Sequence, residues 1–165
     1  MYGYKKVILK MQEKLRLLTD PEDESENPKP IFGDNVDFGQ EELTGMYGSP
    51  AKAIILFADT DKIGSQGMRG QSKQAQITGT VITLIPGDNS AAALECLQYS
   101  DIVEDFLENE NCLEIPGCLV EVTDSGAQNW RVVDISGNPK GNNKPNKVTA
   151  ASTQFIITKT KEPQF

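Results

Sequence analysis

Two apolar runs, "AKAIILFAD" (51–59) and "QAQITGTVITLIPGD" (74–88), are separated only by residues 60–73. In the first, Ala53, Ile55 and Phe57 alternate with Lys52, Ile54 and Leu56. Both faces of that strand are largely apolar, so it is expected inside a sheet and covered on both sides. In the second, Ala75, Ile77, Val81, Thr83 and Ile85 share one face, and Gln76, Thr78 and Thr80 occupy the other. This period of two identifies a strand with one buried face, and Pro86-Gly87 stops it. A parallel pair would need a crossover, usually helical. The intervening "DKIGSQGMRGQSK" has glycines at Gly64, Gly67 and Gly70 and no helical periodicity. The two strands therefore read as an antiparallel pair.

The flanking sequence supplies the rest of the fold. Val7, Ile8, Met11, Leu15 and Leu18 recur at helical spacing, and Thr19-Asp20-Pro21 ends the segment. "DPEDESENPKP" (20–30) holds five acids, three prolines and no apolar side chain, and reads as a solvated connector. "PIFGDNVDF" is a short extended piece with Ile31, Phe32, Val36 and Phe38 as its apolar contacts. Asp88-Asn89-Ser90 offers N-caps to a second helix, with Leu94, Leu97, Ile102, Val103, Phe106 and Leu107 as its stripe. "CLVEVTD" and "WRVVDISG" flank "SGAQN", which reads as a hairpin turn. In "TAASTQFIITKTKE", Thr153, Phe155 and Ile157 alternate with Gln154, Ile156 and Thr158. The expected class is α+β: a mainly antiparallel sheet packed with two helices. The 165 residues suit one domain, 1–165, with loops near 20–30, 61–73 and 137–147.

Composition narrows the chemistry. The chain has no histidine, the usual general base and commonest metal ligand. Three cysteines, Cys96, Cys112 and Cys118, match no zinc or redox spacing and suit a reduced, intracellular protein. The apolar core of "MYGYKKVILKMQEK" is too short for a secretory leader, and the longest apolar run, 53–58, is far short of a membrane span. Net charge is −8 and unevenly spread. Residues 1–18 carry five bases and one acid, 19–50 nine acids and one lysine, and 86–118 eight acids and no base. Such a chain is a poor wrapper of nucleic acid, whose phosphates call for clustered Lys and Arg.

The glycine loop fails as a phosphate cradle. Its spacing is G-x-x-G-x-x-G, no Gly-Lys-Ser/Thr follows, and a strand rather than a helix comes next. As a plain connector it has unusual content, because Ile63, Met68, Arg69 and Lys73 are adhesive residues on a segment ill suited to packing them alone. Such a loop can order against a partner. Glu104, Asp105 and Glu108 lie close together on the second helix; they read as its wet face, or as carboxylates for hydrolysis or a metal. Cys96, Ser65 and Ser72 have no histidine to activate them, although a Ser72-Lys73 neighbour pair exists. Trp130 reads as a core or interface residue. No catalytic, cofactor or metal site is assigned.

In layout the chain resembles the tail-terminator and tail-completion (head–tail joining) proteins of long-tailed bacteriophages. The likeness is carried by "SPAKAIILFADT", "QAQITGTVITLIPGDNSAAALECL" and "STQFIITKTKE", in the order helix, extended piece, strand, long loop, strand, acidic helix and final strand with a basic tail. The resemblance implies a non-enzymatic virion protein, assembled in the host cytoplasm, that forms a homo-oligomeric ring, hexameric in that family. The ring sits at the head-proximal end of the tail tube. Its implied partners are its own copies, the tail-tube protein and the head-completion or connector protein. DNA would pass its channel without specific binding, and no cofactor or membrane is implied. The glycine loop (Ile63, Gly64, Gly67, Met68, Arg69, Gly70, Lys73) then becomes the candidate assembly loop. Segregated charge suits heterologous ring contacts, with Lys6, Lys10 and Lys14 facing Glu104, Asp105 and Glu108 of a neighbour. The competing readings are another connector, neck-ring or tail-tube subunit, a cytoplasmic adaptor that pairs a peptide to its sheet edge, and an enzyme with a metal on the acidic helix.

Overall fold

The computed structural model describes residues 3–39, 52–61, 74–134 and 147–160. The chain runs α1 (Tyr4–Arg16), β1 (Val36–Phe38), β2 (Ala53–Asp61), β3 (Gln74–Pro86), α2 (Ser90–Glu108), β4 (Cys118–Asp124), a short 3-10 turn (Gly126–Gln128), β5 (Arg131–Asp134) and β6 (Lys147–Thr160). One six-stranded sheet holds them in the order β1-β2-β3-β6-β4, with β5 also paired to β6. β2 and β3 pair antiparallel from Ala53↔Leu84 to Asp61↔Gln76, as their direct connection requires. Only β1 runs parallel to its neighbour. The fold is α+β and mostly sheet.

Both helices lie on one face of this sheet. Val7, Ile8, Met11 and Leu15 of α1 and Val103 and Leu107 of α2 share a core with Ile54, Leu56, Ile77, Val81, Phe155 and Ile157. The alternation read in β3 and β6 is observed, with Ile77, Val81, Thr83, Thr153, Phe155 and Ile157 buried while Thr78 and Gln154 are exposed. The other face carries a smaller cluster, Ile55, Leu84 and Ala150, so β2 is buried on both sides. Gly79 stands directly across from Phe155. A Cβ on Gly79 would lie 2.2 Å from the Phe155 ring, so the missing side chain is what lets the largest core residue lie flat.

Two expectations are corrected. The stripe of α2 that faces the sheet is Ala92, Cys96, Ser100, Val103 and Leu107, whereas Leu94 is 68% exposed. The sheet beneath the first half of α2 presents Thr83, Thr149, Ala151 and Thr153, all buried. The helix comes close enough for the Cys96 thiol to sit 3.7 Å from the Thr149 carbonyl, so small residues fit there, while Leu94 turns outward and Leu97 is half-buried. Among the described residues, the hydroxyls of Thr83, Ser100 and Thr153 find no hydrogen-bond partner in this layer.

The second correction concerns "SGAQN". It is not a hairpin turn. β4 and β5 both pair antiparallel with β6, at Cys118↔Lys159 to Asp124↔Gln154 and at Arg131↔Ala150 to Asp134↔Lys147. The chain keeps its direction and steps out through the 3-10 turn, so the two strands lie end to end along one edge. Gly126 permits this step. A Cβ there would lie 2.3 Å from Ser100 Oγ and 2.4 Å from Thr153 Oγ1. Trp130, beside the step, is 45% exposed rather than in the core, and Phe38 at the far edge is 49% exposed.

Candidate docking groove and assembly surfaces

A groove of about 690 Å³ runs along β4, the last strand in the sheet order. Glu104 and Glu108 of α2 and Glu110 form one wall, and Leu119 to Ser125 with Thr158 complete it. β4 alternates here for an elementary reason. Cys118 and Val120 point into the core, which leaves Leu119, Glu121 and Thr123 outward. At one point the strand edge is already satisfied, because the Val120 amide donates to the Glu110 carbonyl at 3.0 Å.

The electrostatics of this groove are one-signed. Glu104, Glu108, Glu110, Glu121 and Asp124 line it, and none of the five is in an ion pair among the described residues. Close by, desolvation together with the like charges of Glu104 and Asp105 raises the Asp101 carboxyl above its ordinary value. Leu119, 44% exposed, puts an apolar side chain among these acids. Such a surface favours a cationic, partly apolar partner. Among the described residues no group of three or more histidine, cysteine or acidic side chains is gathered so as to hold a metal ion. Burial raises the thiol pKa of Cys96 and of Cys112 to about 11, which leaves both as inert thiols at neutral pH.

The basic helix α1 reaches from the β1 edge to the turn that follows α2. Gln12 Nε2 and Arg16 Nη2 donate to the Val36 carbonyl of β1 at 3.5 and 3.2 Å, fixing α1 over that edge. Its outward side presents Lys5, Lys6 and Leu9, and a smaller depression of about 270 Å³ is lined by Lys6, Leu9, Lys10, Glu13, Glu114 and Ile115. Lys14 is engaged within the chain, 2.7 Å from Glu114. That hydrogen bond holds the Glu114 carboxyl below its ordinary value. Glu114 itself sits in the left-handed region (φ 55°), in the turn that follows α2. Lys10 lies 3.6 Å from Glu13, a loose exposed pair of small energetic weight.

The residues singled out for ring contacts thus divide. Glu104 and Glu108 line the groove, and Asp105 is exposed beside it. Lys6 is exposed, Lys10 is half-buried, and the Lys14 ammonium is taken by Glu114. The candidate assembly loop, Ile63 to Lys73, lies outside the described residues, as do residues 137–146. Leu119, Glu121, Asp124 and Glu110 were missed, since only the placement of β4 at the sheet edge brings them to α2. No protein-family model matches the chain, and comparison with curated proteins finds no match either.

Proposed function

We propose that this chain is a structural subunit of a bacteriophage tail terminator. Copies join side to side in a homo-oligomeric ring at the head-proximal end of the tail tube, where the ring stops tube growth and presents the surface on which the head docks. The observation that supports this reading most is the one-signed groove along β4, whose five carboxylates are in no ion pair among the described residues, in a chain whose first helix carries five bases and one acid. Surfaces that differ and complement each other suit head-to-tail contacts, which close into rings. The order of elements agrees with the layout of the family the sequence resembles. Its partners are then a second copy, the tail-tube protein and the head-completion protein, and its work is assembly rather than catalysis.

Electron microscopy of tail tubes polymerised with and without the protein tests this. Tubes of limited length with added density at one end are expected, and loss of that end density is expected when Met68→Ala and Arg69→Ala are combined in the assembly loop. Tubes that grow without limit in the presence of the wild-type protein contradict the reading. A second reading, an adaptor that adds a partner's strand to β4, is favoured by the groove along that strand.

A further inference from the structure

We infer that the open edge of β4 receives an added strand from a different protein, one that alternates basic and apolar side chains, with its bases toward Glu104 and Glu108 and its apolar side chains toward Leu119. The inference rests on the second reading, strand addition to β4, and names the chemistry of the partner.

Three observations carry it. The first is the backbone. The Val120 amide donates to the Glu110 carbonyl at 3.0 Å, so the chain itself closes the edge at that point. Edge-facing residues alternate along an antiparallel strand, so Val122 presents its amide and carbonyl on the same side. Among the described residues, no backbone group from Glu121 to Asp124 hydrogen-bonds outside the sheet. The edge is thus open where the groove runs. The second is the placement of side chains about that edge. Val120 is buried in the core that the helices share, whereas Leu119 and Glu121 are exposed on the other face. Glu104 and Glu108 reach the groove from α2. Side chains of an added strand point alternately to the two faces. One set then meets the glutamates of α2, and the next meets Leu119, which is 44% exposed. The third is charge. Five carboxylates line the groove with no ion pair among the described residues, and none of the described lining residues is a base. Lys159, which pairs with Cys118 at the start of β4, is not part of the wall. Charge on an edge strand shields it from wrong pairing. Here the charge has one sign, so two copies of β4 repel each other and a basic strand is admitted.

Peptide binding to the whole chain tests this. The probe is a fluorescein-labelled heptapeptide of alternating lysine and valine, titrated at low ionic strength. One control replaces each lysine with threonine. The other keeps the lysines but is N-methylated along its backbone, so that it cannot donate the hydrogen bonds of a strand. The lysine peptide is expected to bind about tenfold more tightly than either control, or better. A variant carrying Glu104→Gln and Glu108→Gln keeps the shape of the wall without its charge, and thermal melts check that it is folded. It is expected to lose the preference for lysine over threonine. A threonine peptide that binds wild type as tightly as the lysine peptide, or a folded variant that keeps the full preference, would overturn the basic partner and leave strand addition standing. An N-methylated peptide that binds as tightly, or a wild-type protein that binds none of the three, overturns both. A lysine peptide that breaks up an existing assembly of the wild-type protein assigns the groove to a second copy and also overturns the proposal.

Discussion

At the scale of single residues, the sheet depends on a side chain that is missing. Phe155 is fully buried and lies across Gly79, with no room for even a methyl group between them. Alanine is the better strand residue by about 0.5–1 kcal/mol, but forcing a methyl into a packed core costs about 1–3 kcal/mol. The second effect wins because the ring is enclosed and cannot swing away. Gly79→Ala is therefore expected to lower the melting temperature by several degrees. Adding Phe155→Leu is expected to cost less in that background than in wild type, as a double-mutant cycle of thermal melts would show. Alternation around both residues was legible in the sequence, and so was the inward face of Phe155. Their apposition was not, because a register between strands separated by more than seventy positions leaves no trace in either strand alone.

At the scale of elements, α2 shows how a sheet overrides a helix's own pattern. Counting large apolar residues selects Leu94 and Leu97, yet the buried stripe begins with Ala92, Cys96 and Ser100. Close approach to a threonine-rich patch of sheet rewards small volume over hydrophobicity, and that demand is invisible until the partner surface is known. The end-to-end placement of β4 and β5 was hidden for a similar reason, since "SGAQN" has the content of a reversing turn but is spent on a step past Ser100 and Thr153. The start of β2 is tied to α2 by Lys52. Its ammonium lies 2.5 Å from Glu95 Oε1 and 3.0 Å from the Tyr99 hydroxyl, with the Tyr99 ring centroid at 4.7 Å. The hydrogen bond to Glu95 raises the Lys52 pKa above its ordinary 10.5. A raised folded-state value means stability that is fully present below the unfolded value and lost as pH rises through the folded one. The difference in melting temperature between wild type and Lys52→Met is expected to hold steady from neutrality to about pH 10 and to shrink above it. A difference that grows in alkali would contradict the contact.

At the scale of the whole molecule, acidic charge gathers along one edge of the sheet, where five carboxylates line the groove beside β4. The uneven charge of the chain was plain in the sequence, and so were Glu104 and Glu108 as members of an acidic surface. What the sequence could not show is that β4 forms the sheet's far edge. That placement adds Glu121 and Asp124 to the acids of α2. The measurement that tests the central claim most directly is the mass of the purified wild-type protein by light scattering, over a range of concentration and ionic strength. The account predicts a discrete species near six subunits that falls apart as salt screens the contacts between its acidic and basic faces. A strict monomer at every concentration, unchanged by salt and by added tail tubes, would contradict it.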